Sequence, residues 1–331
     1  MPMSDDGRAR AEPQLLLTSL LGDYWYWRDE HIPSAALVRL LAEFGIGQEN
    51  ARAAMRRLAA KDLLTVSRHG RTTAYGIPPR TSDVIVDRTH RMLTFGASAP
   101  EWDGCWTVVA FSVPEQEREV RTALRSRLRV LGLAALYDGL WVSPRDLAGP
   151  ARDLVAELGV ARATVLRATE VPGGPSGGGP AAAFDLDGLA ADYRGFVRTY
   201  EPLREDLAAG RIGPADALRI RTELRVAWRA FPERDPDLPA EMLPPGWLRT
   251  DAQRLFLEVY DRLGPLAEHR FRQLLAESDP DLAELASHHD STRISRLHDE
   301  LGDRGSRGDT PFEQAVRARR LDEVRRGRPS V

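Results

Sequence analysis

The stretch GQENARAAMRRLAAKDLL, residues 47–64, decides how the first part of this chain folds. On a helix with about 3.6 residues per turn, its small and apolar side chains form one stripe, made of Ala51, Ala54, Met55 and Leu58. Arg52, Arg56 and Arg57 point away from that stripe. The pattern predicts a helix that lies close against another helix and exposes fixed positive charge on its outer side.

A basic hairpin is predicted directly downstream of this helix. LLTVSRHGRTTAYGI, residues 63–77, has the pattern of two short strands around a tip, and the tip consists of Arg68, His69, Gly70 and Arg71. A helix with an arginine face followed by a basic hairpin is the layout of a winged helix-turn-helix, in which the helix enters the DNA major groove and the wing contacts the flanking backbone. The alternative is a solvated helix face followed by an ordinary hairpin.

Two further helices are predicted before residue 47. The first covers residues 15–27, and Pro33 suits the first turn of a second helix that runs to about Phe44. The aromatic residues 24–27 are too large to be wholly buried in a small module, so we expect them to pack against the next domain; a dimer contact is the alternative. Residues 13–80 are therefore predicted to form a winged helix-turn-helix domain.

Composition is that of a folded protein with two or three domains, since the 331 residues are 42% hydrophobic and 29% charged. The overall net charge of -3 does not by itself suggest nucleic-acid binding. Residues 31–80, however, hold eight Lys/Arg against three Asp/Glu. Because phosphate contacts need positive charge in one place rather than over the whole chain, this local excess favours DNA as a partner.

Cys105 is the single cysteine, so the sequence excludes an internal disulfide and a cysteine metal cluster. The N-terminus has no basic start that leads into a long apolar segment, and the run LLLTSLLG is too short to span a bilayer. We therefore expect a cytoplasmic protein that does not enter the membrane. Residues 1–12 are polar and are predicted to be disordered.

The middle of the chain has the pattern of a ferredoxin-like domain over residues 101–170, after a connector helix predicted within residues 81–100. The predicted elements are, in order, a buried strand at 105–113, a helix that stops at Gly132, a hairpin around Asp138-Gly139, a helix at 146–158 and a strand at 163–167. The order strand–helix–strand–strand–helix–strand is the split βαβ arrangement.

The rest of the chain is predicted to be helical. VPGGPSGGGP opens a flexible linker over residues 171–183, and helices follow over residues 184–276, where Thr250 and Gln253 are spaced as a capping box. Residues 277–331 are polar and arginine-rich, so we expect a mobile tail there. The predicted fold class is thus an α+β multidomain protein.

The DNA contacts follow from this layout. Arg52, Arg56 and Arg57 would reach phosphates or guanine edges, and Gln48 and Asn50 could read adenine or position the backbone. At the hairpin tip, Arg68, His69 and Arg71 would contact flanking phosphates of the double-stranded DNA.

Five stretches resemble, in their order and spacing, the phenylacetate-catabolism repressor (PaaX-like) family of bacterial transcription regulators. They are LLLTSLLGDYW, ARAAMRRLAAKDLL, PEWDGCWTVVAFSVPE, GLWVSPRDL and DPDLPAEMLPPGW, within about residues 14–275. The resemblance implies an N-terminal winged helix, a ferredoxin-like middle domain and a helical C-terminal domain. It also implies a homodimer that represses catabolic operons and leaves the operator when an aryl-CoA thioester such as phenylacetyl-CoA binds.

An enzyme is the second function considered, either a metal-dependent nuclease or a hydrolase. The middle domain resembles the small ferredoxin-like nucleases of CRISPR systems, which hold a metal with an aspartate at the end of the first strand. Here Ser112 stands at that place, and a hydroxyl is a poor substitute for a carboxylate ligand. The chain has no G-x-S-x-G and no phosphate-binding glycine loop of the required spacing. We predict no catalytic residue, no metal and no cofactor.

A third function is an interaction adaptor that does not bind DNA, with residues 24–27 and the tryptophans of the C-terminal region as its contact surfaces. The same C-terminal region contains a candidate effector site. An acyl-CoA needs cations for its phosphates and an apolar slot for its acyl part, and both residue types occur in the set Arg225, Trp228, Arg229 and Trp247. The alternative is that Trp228 and Trp247 belong to the core.

Overall fold

The computed structural model of this chain describes residues 12–26, 28–97, 101–171 and 179–301. The described part is a mixed α+β protein with helices and two small antiparallel sheets. It divides into two compact units: the first comprises residues 1–95, 197–230 and 253–331, and the second comprises residues 96–196 and 231–252. Residues 1–11, 27, 98–100, 172–178 and 302–331 are not described, so most of the predicted disordered N-terminus and linker, the end of the predicted connector, Trp27 and most of the predicted tail lie outside the described residues.

The first unit begins with six elements, and five of them lie where the sequence predicts them. The six are α1 (Pro13–Tyr24), β1 (Ile32–Pro33), α2 (Ser34–Ala42), α3 (Gln48–Ala60), β2 (Thr65–His69) and β3 (Thr72–Gly76). The short strand β1 was not predicted. It pairs antiparallel with β3, which pairs antiparallel with β2, so the sheet order is β1-β3-β2. The segment that leads into α2 is therefore hydrogen-bonded to the hairpin.

Helix α3 buries the stripe that its spacing predicts. Ala51, Ala54 and Met55 are fully buried, Leu58 is nearly so, and α3 packs against α1 and α2. Small side chains at positions 51 and 54 let neighbouring helices approach closely. The packing fixes which side of α3 faces solvent.

The predicted connector helix is α4 (Pro79–Thr94), and it is part of the first unit rather than a spacer. Val84, Val86, Met92 and Leu93 of this helix are buried. A helix with this much buried apolar surface contributes to the core, so the term connector describes only its place in the sequence.

The second unit contains the four-stranded sheet. Its elements are β4 (Trp106–Phe111), α5 (Arg118–Leu131), β5 (Ala134–Tyr137), β6 (Leu140–Ser143), α6 (Ala148–Glu157) and β7 (Ala163–Ala168), in the order that the sequence predicts. The sheet order is β5-β6-β4-β7 and every pair is antiparallel. Val109 and Trp141 from the sheet pack with Leu124, Leu128 and Leu154 from the two helices to form the core.

Six more helices follow in the C-terminal half: α7 (Leu186–Tyr200), α8 (Leu203–Ala208), α9 (Pro214–Arg234), α10 (Arg249–Ala276), α11 (Pro280–Leu285) and α12 (Ser291–Leu301). Most of their residues belong to the first unit, together with residues 13–80. Residues 13–80 and 184–276 were predicted as separate domains, and the first unit contains residues of both. The predicted capping box is wrong, because Thr250 lies inside α10 and Gln253 donates to the Leu93 carbonyl at 3.0 Å.

Within residues 277–331, for which the sequence predicts a mobile tail, Pro280–Leu285 and Ser291–Leu301 form the helices α11 and α12. Asp279 caps α11 by accepting a hydrogen bond from the backbone N–H of Leu282 at 3.0 Å. Ile294 on α12 is 1% exposed, and α12 packs against α4. The apolar residues Ile294, Leu297 and Leu301 recur at helical spacing in α12, but the polar composition of the segment does not reveal its partner helix.

A buried polar network joins α1, α9, α10 and residue 289 within the first unit. Arg221 on α9 is fully buried; it donates to the Tyr260 carbonyl at 3.0 Å, the Tyr24 hydroxyl at 3.0 Å and the His289 carbonyl at 2.7 Å. Its guanidinium lies 3.3 Å from the Asp23 carboxylate and 3.8 Å from the Tyr260 ring centre. Each part of this cation has an acceptor or a ring against it, which is what burial of a charge requires.

The aromatic cluster packs as predicted in its described members, which are Tyr24, Trp25 and Tyr26, all buried. Tyr24 stacks on Phe271 of α10, with 4.8 Å between ring centres, and Tyr26 lies 4.1 Å from the His289 ring. Burial raises the pKa of Tyr24 to about 12, so its hydroxyl is neutral and can accept from Arg221. The cluster is thus internal to the first unit and is not a contact surface.

We expect Arg221→Met to lower the free energy of unfolding by about 3–5 kcal/mol, because buried acceptors lose their donor and Asp23 keeps only Arg225 as an ion-pair partner. The matched control is Arg219→Met on the same helix, whose side chain is 44% exposed and pairs with Asp216, and it should cost about 0–1 kcal/mol. Urea unfolding of the full chain measures both. Equal costs for the two substitutions would contradict the assigned role of Arg221.

We expect a pH dependence of stability from His289. Burial, together with the positive charges of Arg293 and Arg221, lowers the pKa of His289 to about 3. The unfolded chain takes up a proton at this residue below about pH 6.5 and the folded chain does not until about pH 3, so stability falls as the pH falls between those values. Between pH 6.5 and 5 the wild type should lose about 1.4 kcal/mol per pH unit more than His289→Asn does. Identical slopes in the two proteins would rule this out.

Candidate nucleic-acid interface

The first unit has a concave surface of about 580 Å³ between α3, the start of α2 and the β2–β3 hairpin. We call it the arginine cleft, because Arg52 and Arg56 of α3 and Arg68 and Arg71 of the hairpin all line it. All four are exposed. Among the described residues that line the cleft there is no Asp or Glu. Four cations around one concavity give a local positive potential that attracts a polyanion.

The floor of the cleft is apolar and its edges carry hydroxyls. Met55 and Tyr75 are buried below it, and Val66 is 45% exposed within it. Ser34 at the start of α2 and Thr72 on β3 contribute hydroxyls. A chain of phosphates and sugars can be met by this combination, since hydroxyls donate to phosphate oxygens and apolar side chains contact sugars or thymine methyls.

The helix side of the cleft is formed by two of the three arginines that the sequence singled out. Arg52 and Arg56 are one turn apart and both face the cleft, whereas Arg57 is exposed but does not line it. Gln48 and Asn50 are exposed at the start of α3. With its amide oxygen turned toward the helix, Gln48 accepts hydrogen bonds from both terminal nitrogens of Arg52, at 2.7 and 3.1 Å. Gln48 therefore orients Arg52 along the outer surface of α3.

The hairpin side is held by a tight two-residue turn. His69 pairs with Thr72 in the β2–β3 ladder, so Gly70 and Arg71 form the loop. Gly70 has φ +58°, a backbone conformation that glycine adopts without strain at the first position of such a turn. The turn places Arg71 at the tip and leaves Arg68 on β2, and both reach the cleft.

Sequence reasoning missed the α2 side of the cleft, where Ser34 and Ala35 lie. They come close to the hairpin because Ile32 and Pro33 pair with Tyr75 and Ala74 of β3. A two-residue strand gives no readable pattern in a sequence. The one available signal was Pro33, which predicts the start of a helix but not its neighbour.

Of the four residues considered for an effector, Arg225, Trp228 and Arg229 lie in the first unit and Trp247 lies in the second. Trp228 is fully buried, donates its indole N–H to the Met92 carbonyl at 2.8 Å and stacks on Phe256. Arg225 donates to the Ser19 carbonyl at 2.9 Å and lies 3.2 Å from Asp23. Arg229 is exposed, and Trp247 belongs to the second unit, where it packs edge-on against Tyr193. The alternative, a core role, accounts for Trp228.

The strand end considered for a metal carries Ser112, which is exposed. Asp103, the carboxylate nearest in sequence before β4, accepts from the backbone N–H of Cys105 at 2.9 Å and pairs with Arg167. The Cys105 N–H is the main reason why the pKa of Asp103 lies below its usual value. Within residues 12–26, 28–97, 101–171 and 179–301, no group of at least three His, Cys, Asp or Glu could hold a metal ion.

None of the described helices combines the length and the apolar character that crossing a membrane requires.

Three family models match successive parts of the chain. The model described as PaaX-like protein matches residues 12–79, the PaaX protein central Cas2-like domain matches residues 99–177, and the PaaX-like protein C-terminal domain matches residues 184–284. The first range covers α1 to β3, and the second covers the four-stranded sheet and its helices. The matches follow one another in the order that the sequence resemblance implies.

One curated relative is the transcriptional repressor PaaX of Escherichia coli (strain K12). It is 28% identical to this chain over 258 residues, which cover 76% of this chain and 80% of the relative. One solved structure with some likeness is that of an uncharacterized protein, Rv0674, from Mycobacterium tuberculosis. The likeness covers 83% of this chain and 100% of the other at 22% identity, with a TM-score of 0.43.

We expect Trp228→Phe to lower the free energy of unfolding by about 1–3 kcal/mol, because the Met92 carbonyl loses its donor inside the core. Arg56→Ala is the control. Its side chain is exposed, so the substitution should change the unfolding free energy by no more than about 0.5 kcal/mol. Thermal and urea unfolding measure both. A Trp228→Phe variant as stable as the wild type would show that this side chain is not needed for the core.

Proposed function

This chain belongs to the PaaX-like protein family, and on that premise we propose that it is a transcriptional repressor that binds double-stranded DNA through the arginine cleft. The observation that carries the proposal is the convergence of Arg52, Arg56, Arg68 and Arg71 on one exposed concavity. Exposed cations drawn together from a helix and a hairpin are what binding to a phosphate backbone needs. A regulator of this kind works in the compartment that holds the DNA, so the expected cytoplasmic location follows from the same proposal.

We propose that residues 13–80 act as a winged helix-turn-helix. The element order and the sheet order β1-β3-β2 support this, with α3 as the recognition helix and the hairpin as the wing. α3 has 13 residues and is therefore about 20 Å long, which suits insertion into a major groove about 12 Å wide. Its exposed side carries the arginines, so the side that would enter the groove is also the charged one.

Each candidate contact then has a definite role. Arg56 would reach guanine edges or phosphates, and Arg52, oriented by Gln48, would do so next to it. Asn50 and Arg57 lie outside the cleft and would contact the backbone on the other side of α3. At the wing, Arg68 and Arg71 would contact flanking phosphates. The same contact is proposed for His69, as the sequence predicts.

We propose a ferredoxin-like arrangement for the second unit and a homodimer for the assembly. The antiparallel order β5-β6-β4-β7 with α5 and α6 supports the first statement. The second rests on the family resemblance and on the geometry of DNA, because two copies of a recognition helix can read two half-sites one helical turn apart. A size measurement in solution, with and without DNA, tests it.

No observation favours the other two functions. The E. coli relative is a repressor and the family is one of regulators, so we assign no enzymatic activity. Asp103 is held by Cys105 and Arg167, which speaks against its use as a free metal ligand. The adaptor surface proposed at residues 24–27 is buried at Tyr24, Trp25 and Tyr26.

Release from DNA by an aryl-CoA thioester is also part of the proposal, and it rests on the family resemblance alone. We assign no effector residue, because Arg225 and Trp228 serve the core of the first unit. Titration of the protein–DNA complex with phenylacetyl-CoA tests this part by itself. If the complex does not dissociate, phenylacetyl-CoA is excluded as the effector and the DNA-binding proposal is unaffected.

The DNA-binding proposal is tested with a duplex that the wild-type protein selects from a random-sequence library. Arg52→Ala and Arg56→Ala should each cost about 1–3 kcal/mol of binding free energy if they read bases, and together they should reduce the salt slope by up to about 2 if they contact phosphates. The matched control carries Arg219→Ala and Arg262→Ala, two exposed arginines on α9 and α10 that do not line the cleft. Equal binding by the cleft variant, the control and the wild type would refute the proposal, as would failure to select any duplex.

A further inference from the structure

His31 lies between the start of α2 and the hairpin, and both nitrogens of its ring are hydrogen-bonded to β2. Nδ1 is 2.7 Å from the Ser67 hydroxyl and Nε2 is 3.0 Å from the Thr65 hydroxyl. A hydroxyl can donate or accept, so both bonds persist whichever ring nitrogen carries the proton. Two bonds to β2 fix the tilt of the ring as well as its distance from that strand.

Gly76 on β3 makes room for this ring. A Cβ atom at position 76 would lie 2.2 Å from the His31 ring, which is far inside van der Waals contact. Gly76 is the residue that pairs with Thr65 across the β2–β3 ladder. The ring therefore rests on the backbone of one hairpin strand while it is hydrogen-bonded to the other.

The opposite face of β2 lines the arginine cleft. Along a strand, neighbouring side chains point to opposite faces, and Thr65 and Ser67 use one face to contact His31. Val66 and Arg68 use the other and line the cleft. His31 thus holds the back of the strand whose front would face DNA.

The chain on the other side of His31 forms the facing wall of the cleft. Ile32 and Pro33 follow it directly as β1, and Ser34 and Ala35 then begin α2 and line the cleft. The His31 side chain therefore links the segment that leads into α2 to strand β2 of the hairpin. The pairing of β1 with β3 holds one strand of the hairpin, and the two bonds from His31 hold the other strand, β2.

We infer that His31 is a positioning residue that sets the distance and angle of the hairpin relative to α2 and α3, and so decides whether Arg68 and Arg71 reach the DNA backbone while α3 is engaged. The inference rests on the proposed function for its consequence, but its structural part does not. Loss of the His31 ring removes the two bonds to β2, while the β1–β3 pairing and the burial of α3 remain.

The structural part is tested without DNA, by amide hydrogen exchange of the full chain. His31→Ala should raise the exchange rate of the amides of residues 65–69 and 72–76 by about tenfold or more, whereas buried amides of α3 and α10 should keep their rates. Thr65→Val with Ser67→Ala, which removes both hydroxyls and keeps the ring, should give the same pattern. An unchanged hairpin in either variant, or a rise over the whole first unit, overturns the inference.

A substitution at Gly76 separates the packing role of the His31 ring from its hydrogen-bonding role. Gly76→Ala should disturb the hairpin when His31 is present, because the new methyl group meets the ring, and should be tolerated in His31→Ala, where the space is free. The double variant restores packing without the two bonds. If it also restores slow exchange in the hairpin, the ring acts only as a filler and the inference fails.

The functional part is a double-mutant cycle with the library-selected duplex as probe. The variant with Arg68→Ala and Arg71→Ala should bind the duplex about tenfold more weakly. The slope of its log binding constant against log salt concentration should be smaller in magnitude by about two. His31→Ala should do nearly the same, and adding the two arginine substitutions to it should cost less than about twofold more. Full additivity means that His31 does not act through the wing and overturns the inference. Normal binding by the Arg52→Ala, Arg56→Ala variant instead refutes the proposed function, whatever His31 does.

Discussion

A guanidinium group can be buried only if acceptors and an opposite charge surround it, and Arg221 meets this condition by drawing together distant parts of the chain. Asp23 and Tyr24 come from α1, Tyr260 from α10, and the His289 carbonyl from the segment between α11 and α12. These contacts join the N-terminal part of the first unit to its C-terminal helices, and the two parts belong to one compact unit.

The surface that faces DNA in our proposal is carried by this framework. At the end of α2, Glu43 accepts from Arg270 of α10 at 2.8 and 3.2 Å, and Arg39 lies 3.1 Å from Glu277. These outer pairs are partly exposed, so each contributes little beside the buried network. The main anchor of α2 is instead its buried apolar side, where Ala36, Leu37, Leu40 and Leu41 are fully buried.

Much of the cleft could be predicted from the sequence because local patterns define it. The stripe of Ala51, Ala54, Met55 and Leu58 fixes the orientation of α3, and the glycine at position 70 fixes the hairpin tip. The contributions of Ser34 and His31 could not be predicted, because they depend on a two-residue strand and on pairs more than thirty positions apart in the sequence. The packing of α12 against α4 could not be predicted either, because the two helices are about two hundred positions apart in the sequence. Local periodicity is visible in a sequence, and long-range pairing is not.

The exposed arginines of α3 and the buried arginines of α9 differ in a way that could be read from the sequence. Arg52 and Arg56 lie opposite the apolar stripe of α3, and they are exposed. Arg221 lies four residues after Ala217 and three before Leu224, both fully buried, so it falls within the apolar stripe of α9. A cation at such a position must be paired inside the protein, whereas a cation opposite the stripe is available to a partner from solution. Arg225 follows Arg221 by one turn and is mostly buried as well, and its bonds to Ser19 and Thr89 follow from the same rule. The position of an arginine relative to the apolar stripe, rather than the residue type, therefore separates the cations that bind within this fold from those that are free to bind DNA.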